Sequence, residues 1–576
     1  MKKLVCTVGA GNYERVTYVF GKRRKETNLA PVAVGCCVLG DGENLELVAL
    51  LTQKAREIYG RDLRAEAEDQ GWVYTQVDIP DGKSEAELWE IFEKFGEHLE
   101  KGDELVLDLT HGFRHIPALL LSAAQYYAVR KRINLLGVYY GAYEARDDKN
   151  NALIFDLTLL VELPEWSYGV RLISDYLLPG PLGSMLERTQ RRSHQRGGGQ
   201  RFTRLQKVGR ALLDLEGPLA SGAPLEAGFG AHEALNKAHS AEEELARISP
   251  LKGFWRDLGE QLRSFSLQRP GGSKGGKPKK DVPLTIAELD RQARLVEGYI
   301  EVSNLWAAAT LIRELIVSAV ILHTQELDRW LDHNERGRAE RKLGVIASWT
   351  KGSSALKELL SDEQRELATL WDRVTVRRNA LAHAGMREDS VTFKPEDLRE
   401  IHERIKANLS NPGFWQTGLE RKGERWLISP LGTSPGALYT AIVRERPDRL
   451  LVITSEKAKE KLGEIIEAAG REDLEASCLL LDDPFNGFEE AKQKVGRLLE
   501  ERAPQWVTAQ EVIVNRTGGT TCLGWAAERL ESEIRKGLGL SPRTIACIDR
   551  RSQEEQRERP YIRGEVIDIT GPAEEE

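Results

Sequence analysis

Three blocks of hydropathy pattern limit what this chain can fold into. Strand and helix signals alternate at both ends, and helical periods alone fill the middle. In the first block Leu4 to Val8, Leu47 to Leu51, Trp72 to Val77, Glu104 to Leu109 and Ile133 to Tyr140 read as strands, as does the apolar run Val32 to Leu39. Between them Gln53 to Tyr59, Ser84 to Leu99 and Ile116 to Arg130 carry helical spacing, clearest at Leu88, Ile91, Phe92 and Phe95. This alternation predicts a mostly parallel sheet covered on both faces, with ligands gathering at the carboxyl ends of its strands. From about Trp166 to Asn411 long helical periods dominate, as in Ile286 to Ile300, Val302 to Leu327 and Asp362 to Leu381; a flexible basic loop over 269–280 interrupts them. Alternation returns from Trp426, with strands at Leu450 to Thr454, Ser477 to Leu481, Glu511 to Val514 and Thr544 to Ile548. The expected architecture is multidomain α/β plus all-α: a Rossmann-like domain over 1–170, a helical domain over 171–415 and a second Rossmann-like domain over 416–576.

Composition narrows the function classes. A chain of 576 residues is too long for one core, and 41% hydrophobic with 30% charged residues describes a globular protein. A net charge of −8 argues against a general nucleic-acid coat protein but permits a local basic groove. The segment Arg188 to Arg210, with eight arginines and lysines around Gly197-Gly198-Gly199, reads equally as a solvated loop or an RNA contact. No run of about 18 apolar residues is seen, so no membrane span is expected. The start, Met1 to Val8, does not resemble a signal peptide, and the expected location is cytoplasmic. Cys6, Cys36, Cys37, Cys478, Cys522 and Cys547 form no C-x-x-C pair and have no histidine at ligand spacing, so buried reduced thiols and no metal site are expected.

Four loops at strand ends offer small residues, free backbone N–H groups and a following helix N-terminus, a combination that favours anions. The first pair is Gly9-Ala10-Gly11-Asn12-Tyr13 and Thr110-His111-Gly112-Phe113-Arg114-His115. There Arg114, His111 and His115 add donors for phosphate, and Tyr13 offers a ring on which a base can stack. The second pair is Ser429-Pro430-Leu431-Gly432-Thr433-Ser434-Pro435-Gly436 and Asn515-Arg516-Thr517-Gly518-Gly519-Thr520-Thr521. None is a Walker A loop, since Gly-Lys-Ser/Thr is absent. Each pair predicts a nucleotide-like ligand.

The helical middle contains Arg378-Asn379-Ala380-Leu381-Ala382-His383. A permanent cation and a proton-shuttling side chain suit RNA cleavage without a cofactor, because RNA carries its own nucleophile in the 2′-hydroxyl. About one R-x-x-x-x-H match is expected by chance in such a chain, so the flanking loops give it weight. On a continuous helix the two residues lie about 140° apart. Two motifs facing each other across a dimer enclose a phosphate better than one.

Arg378-Asn379-x-x-x-His383 resembles the HEPN ribonuclease motif. T-V-G-A-G-N-Y and D-L-T-H-G-F-R-H resemble CARF domains, the sensor domains of CRISPR-associated type III ribonucleases. S-P-L-G-T-S-P and N-R-T-G-G-T-T resemble a second CARF domain of another subtype. The resemblance implies a CARF dimer that binds cyclic oligoadenylate and activates a HEPN dimer, which cuts single-stranded RNA without metal; a homodimer or a higher assembly of dimers follows. It implies catalysis by Arg378 and His383 with Asn379 orienting them. It implies messenger binding by Gly9, Ala10, Gly11, Asn12, Tyr13, Thr110, His111, Gly112 and Arg114. Gly432, Thr433, Ser434, Asn515, Arg516, Thr517, Gly518, Gly519 and Thr520 are the matching set in the last domain. The expected ring is cyclic tetra-adenylate. The usual arrangement is one CARF followed by one HEPN; here a second CARF-like domain follows, expected to cleave the ring or, alternatively, only to bind it or to dimerise. Relatives of that domain often end the second motif with lysine, where this chain has Thr521, which leaves Arg516 as the source of positive charge. The other alternative is a HEPN toxin-type ribonuclease unrelated to CRISPR.

Overall fold

The computed structural model describes residues 1–570 apart from 41–44, 196–200, 271–277, 325–328, 352–353, 387, 389–393 and 420. Much of the expected loop over 269–280 and the centre of the Arg188 to Arg210 segment therefore lie outside the described residues. The chain divides into two compact units, residues 1–216 with 233–260, and residues 217–232 with 261–576. Strands end at Asp156 and resume at Lys422, and the helices between them are shared by the two units.

The first unit holds an eight-stranded sheet of β1 (Lys2–Val8), β2 (Val16–Phe20), β3 (Arg23–Thr27), β4 (Leu45–Leu51), β5 (Val73–Asp78), β6 (Glu104–Asp108), β7 (Asn134–Gly141) and β8 (Asn151–Asp156), in the order β3-β2-β8-β7-β6-β1-β4-β5. Strands β5, β4, β1, β6 and β7 run parallel. Along β1, Leu4, Cys6 and Val8 join one core with Leu47, Ala49, Leu51, Leu63 and Trp72, while Val5 joins the other with Leu105, Leu107, Ile91, Phe95 and Leu120. Strands buried on both faces lose polar alternation, which is why they read as continuous apolar runs.

The same property misled one assignment. Val32 to Leu39, expected as a strand, is an α-helix over Ala30–Val34 continued by a π-helical turn over Gly35–Leu39. All of Ala30–Val34 is buried, and a short run buried on every side has no period to distinguish helix from strand. Pro31 opens the helix, and Gly35 is needed because a Cβ there would meet the Trp72 ring at 2.2 Å. The β2–β3 hairpin and β8, which extend the sheet beyond β7, were not foreseen; β3, Arg-Arg-Lys-Glu-Thr, is a charged edge strand.

The second unit packs helices Ile286–Glu301, Leu305–Thr324, His333–Lys351, Asp362–Ala382 and Pro395–Asn408, followed by a six-stranded sheet. That sheet comprises β9 (Lys422–Pro430), β10 (Arg449–Thr454), β11 (Glu475–Leu480), β12 (Ala509–Asn515), β13 (Arg543–Ile548) and β14 (Glu565–Asp568), in the order β11-β10-β9-β12-β13-β14. All neighbours are parallel except β14 against β13. Contrary to expectation, Leu305–Thr324 has the length and mean hydropathy (1.9) of a membrane span, yet 67% of that window is buried within the unit. A helix apolar all round is what the centre of a helical pack requires. Its Arg313 is held by Glu340 at 3.0 and 2.7 Å and lies 5.0 Å over the Trp371 ring. None of the six cysteines is in a disulfide, and four of them are buried.

Leu315 is fully buried at the centre of this pack. Leu315→Ala is expected to cost about 2–5 kcal/mol through lost transfer energy and an unfilled cavity. A lower urea midpoint for the unit's transition in the full chain checks this.

Candidate functional site

In the first sheet the chain leaves β1 for the β2–β3 hairpin at the far edge, comes back beside β1 as β4 and β5, and then crosses to its other side as β6 and β7. The loop Gly9–Tyr13, expected to open a helix, thus leads into β2, and it meets the loop after β6 in a crevice at the carboxyl ends of two adjacent parallel strands, where the strand order reverses. Both loops come close there. A Cβ on Gly9 would stand 2.8 Å from the Tyr13 hydroxyl and 3.3 Å from the Gly112 nitrogen. Gly112 has φ 109°, and its own Cβ would meet the Thr7 hydroxyl at 2.9 Å. The Thr7 hydroxyl donates to the His111 carbonyl and ties the second loop to β1.

Tyr59, missed in the sequence, fixes the first loop: its hydroxyl donates to the Gly11 carbonyl at 2.5 Å and accepts the Tyr13 N–H at 3.1 Å. Gly11 and Asn12 are exposed, with Ala10 half-buried beside them. One face of the Tyr13 ring is already covered by His111, with centroids 3.9 Å apart and planes 29° apart. His111 is only 7% exposed, and burial lowers its pKa to about 4, so the imidazole meets a ligand neutral rather than as a cation. Its Nε2 has no hydrogen-bond partner among the described residues. Thr110 serves the fold: its hydroxyl donates to Asp108 and accepts the Gly141 N–H at 2.7 Å. Arg114 is exposed and has no ion-pair partner among the described residues; it adjoins Phe113, which is 53% exposed. His115 is tied instead to the Asp81 carbonyl at 3.2 Å.

Beneath this crevice Asp108 is fully buried, and burial pushes its carboxyl up to about 7 against the pull of the Thr110 hydrogen bonds. Neither its Oδ2 nor the buried Tyr18 hydroxyl has a partner among the described residues.

The second sheet repeats the reversal at β9 and β12. Here the backbones touch: a Cβ on Gly432 would lie 2.7 Å from the Gly519 Cα. Gly518 and Gly519 take φ 114° and 74°. Asn515 is fully buried and positions the turn, donating to the Ser429 hydroxyl and the Thr517 carbonyl at 2.9 Å each and accepting the Thr517 N–H at 3.0 Å. Thr517 accepts the Cys547 N–H at 2.9 Å, and Thr520 caps the helix Thr521–Leu538. Thr433 and Ser434 present exposed hydroxyls. Arg516 is not brought to this cradle as a free cation: Glu531 holds it at 3.1 and 2.9 Å and Glu528 at 3.0 Å. The cation beside the loop is Lys461, whose ammonium donates to the Thr433 carbonyl at 2.7 Å. Its position, about thirty residues past the loop and outside any motif, gave no sequence signal.

Helix Asp362–Ala382 begins with a capping box, in which Ser361 accepts the Gln364 N–H at 3.1 Å and the Gln364 side chain accepts the Ser361 N–H at 3.0 Å. Leu367, Trp371 and Val374 bury one face. The Arg-to-His motif occupies the other end. Arg378 and Asn379 are half-buried, and the guanidinium donates to the Asn379 side-chain oxygen at 2.9 Å. The helix stops at the motif, so His383 is its exposed C-cap, with Ala384 and Gly385 left-handed at φ 51° and 73°. Arg377 is bound to Asp397 at 3.2 Å. Among the described residues no three His, Cys, Asp or Glu side chains gather as a metal-ligand set.

The buried Asp108 gives a pH prediction. The unfolded chain loses this proton near pH 4 and the folded chain near 7, so the folded state holds the extra proton between those values. Asp108's own contribution to stability is therefore expected to fall as pH rises from about 4 to about 7, while His111 and His402, whose pKa values burial lowers to about 4, contribute in the opposite sense. Asp108→Asn should remove the falling contribution, so that urea midpoints climb more with pH across the range than in the parent; an unchanged pH dependence contradicts the buried-acid account.

Residues 51–144, which include β6 and the loop from Thr110 to Arg114, match the family model described as CRISPR system endoribonuclease Csx1, CARF domain. The CRISPR-associated protein MJ1674 of Methanocaldococcus jannaschii is 28% identical over 187 residues, 32% of this chain and 25% of that protein. The chain thus spans about a quarter of the length of the curated relative it matches. Enterococcus italicus Csm6 bound to cyclic hexa-2′-fluoro-hexa-dAMP aligns at 10% identity and TM-score 0.35, covering 71% of this chain and 94% of that one. A type III CRISPR defence DNA nuclease activated by cyclic oligoadenylate aligns at 12% identity and TM-score 0.17, covering 95% and 65%. Scores this low establish no shared overall fold. The family match includes the second loop of the first crevice and the curated relative is itself CRISPR-associated, so residues 51–144 of this chain are similar to the CARF domain of CRISPR-associated proteins.

Proposed function

We propose that the protein is a cyclic-oligoadenylate-activated, metal-independent endoribonuclease for single-stranded RNA, acting in the cytoplasm as a homodimer or an assembly of dimers. The observation that carries this reading is the pairing of a CARF crevice with Arg378-Asn379 and His383 at the exposed end of one helix. The crevice supports a ligand on its own account. His111 Nε2 is buried there without a partner, and such an orphan costs about 1–3 kcal/mol unless something outside the chain satisfies it. Glycine N–H groups, the helix N-terminus and Arg114 suit phosphates, and Phe113 suits a base. A two-fold dimer offers the same loops twice, which fits a ring of repeated adenylates such as cyclic tetra-adenylate.

In the reaction the RNA 2′-oxygen attacks the adjacent phosphorus, the bond to the 5′-oxygen breaks, and the 2′-hydroxyl proton is replaced by one delivered to that leaving oxygen. The products are a 2′,3′-cyclic phosphate and a 5′-hydroxyl. Arg378, preset by Asn379, neutralises the phosphate, and His383 manages the proton. Two facing motifs enclose the phosphate better than one, because Arg378 is half-buried on the last turn of the helix whereas His383 stands beyond its end in solvent. The messenger acts by favouring the dimer in which those motifs face each other. RNA cleavage in EDTA is expected only with cyclic tetra-adenylate or a similar ring. His383→Ala should abolish it while messenger binding persists; cleavage that survives the substitution overturns the assignment.

For the last domain the engagement of Arg516 by Glu531 and Glu528 favours messenger binding without ring cleavage. With Thr521 in place of a lysine, the cation bonded to the Thr433 loop is Lys461. Full-length His383→Ala incubated with cyclic tetra-adenylate is expected to leave the ring intact. Linear products that disappear on Lys461→Ala would restore the ring-nuclease reading.

A further inference from the structure

The loop after β11, residues 481–487, presents Phe485 with 67% of its surface exposed. An aromatic so exposed is normally found on mobile backbone, yet this loop is bound at nearly every residue. Asp483 accepts the N–H groups of Phe485 and Asn486 at 2.9 and 3.0 Å. Glu490 accepts those of Asp482 and Asp483 at 2.8 and 3.2 Å and is itself paired with Lys494 at 2.6 Å. Gly487 closes the turn on the Asp483 carbonyl, which a Cβ there would meet at 2.5 Å. The loop is also fastened to the second crevice, because the Thr520 hydroxyl donates to the Pro484 carbonyl, one residue before Phe485. Beyond it, Phe488 meets Trp525 edge to face at 5.5 Å. The arrangement holds one aromatic ring in water at the rim of Gly518-Gly519-Thr520.

The first crevice has the counterpart. The two sheets share their central strand order, so β5 corresponds to β11 and β6 to β12. There the loop after β5 reaches the opening of the next helix through the Asp81 carbonyl and His115, at 3.2 Å. The exposed ring beside that tie is Phe113, stacked parallel to His115 at 5.9 Å and 11°. Each crevice thus carries one solvent-facing phenylalanine beside the same loop-to-helix fastening.

We infer that Phe485 is the base-stacking residue of the second crevice, taking the face of a purine from the bound messenger while Gly432, Gly519 and Lys461 take its phosphates. The division of labour follows from charge. Asp482, Asp483 and Glu490 outnumber Lys494, which bonds Asp482 at 3.2 Å and Glu490 at 2.6 Å, so this loop keeps a negative balance that disfavours phosphate, whereas a neutral base stacks on an aromatic face with no such penalty. Lys461 stands by Thr433, at the other loop of the crevice. The inference rests on the proposal that this crevice binds cyclic oligoadenylate.

The test uses full-length His383→Ala and cyclic tetra-adenylate in which one adenine is replaced by 2-aminopurine, whose fluorescence is quenched on stacking. Gly432→Val removes the second crevice by collision with Gly519 and defines the component of binding that belongs to it. Phe485→Ala is expected to weaken that component by at least about fivefold and to relieve its quenching, and Phe485→Trp to restore both. Phe485 is exposed, so an unchanged thermal transition accompanies this result. If Gly432→Val changes neither binding nor quenching, the messenger does not occupy this crevice, and the functional reading of the domain fails along with the inference. If Gly432→Val removes a component that Phe485→Ala leaves intact, the stacking role alone is wrong. A Phe485→Ala effect on self-association with quenching unchanged also overturns it, in favour of a protein contact.

Discussion

Reversal of strand order beside the first strand of each sheet is the constraint on which the rest depends. In the second sheet a helix follows both β9 and β12 and draws their loops away from each other, whereas in the first the loop after β1 leads to the β2–β3 hairpin and that after β6 leads into a helix. The gap between them cannot be filled by a side chain of either strand. At β9 and β12 it is narrowed until Gly432 and Gly519 touch backbone to backbone, and at β1 and β6 until Gly9 approaches Gly112. Glycine is required in both places by distance, with positive φ at Gly112, Gly518 and Gly519 as a second reason. What remains is a rim of glycine backbone with one helix N-terminus at the first crevice and two at the second, a surface that favours negative charge before any side chain is considered.

Side chains then divide into those that build the crevice and those left free. Asn515, Thr517 and Thr110 spend their polar atoms on the loops themselves, and they are buried or half-buried accordingly. Arg516 is spent on Glu531 and Glu528, and His111 is made neutral by burial. The groups left for a ligand are the rim cations Arg114 and Lys461, the exposed hydroxyls of Thr433 and Ser434, and the rings of Phe113 and Phe485. Residue type alone would have chosen differently, because an arginine in a motif looks available until its carboxylate partners appear in space.

The RNA-directed motif follows another logic. Its helix is anchored at the far end, where Ser361 and Gln364 cap each other and Gln364 also donates to the Gln416 and Gly418 carbonyls at 3.2 and 2.9 Å, on the segment leading into β9. The strand that carries the second crevice at its carboxyl end is thereby fastened to the start of the helix that carries Arg378 and His383 at its other end. Stopping the helix at Ala382 leaves His383 in solvent, the arrangement a side chain needs to reach a second subunit's substrate.

The amino-acid sequence by itself determined the alternation of strands and helices, the four glycine loops and the six-residue motif, because these depend on local period and on backbone needs that only certain residues meet. It also carried the positions of most strands. It failed where burial erases period, at Val32 to Leu39, and where an edge strand is too charged to resemble a core strand, at β3. Only the tertiary structure decided which charges are free, since that depends on partners such as Glu531, fifteen residues from Arg516, or Lys461, twenty-eight from Thr433. It alone brought Tyr59 to the first loop and Phe485 to the second, because strand order, not sequence distance, sets which loops share a crevice.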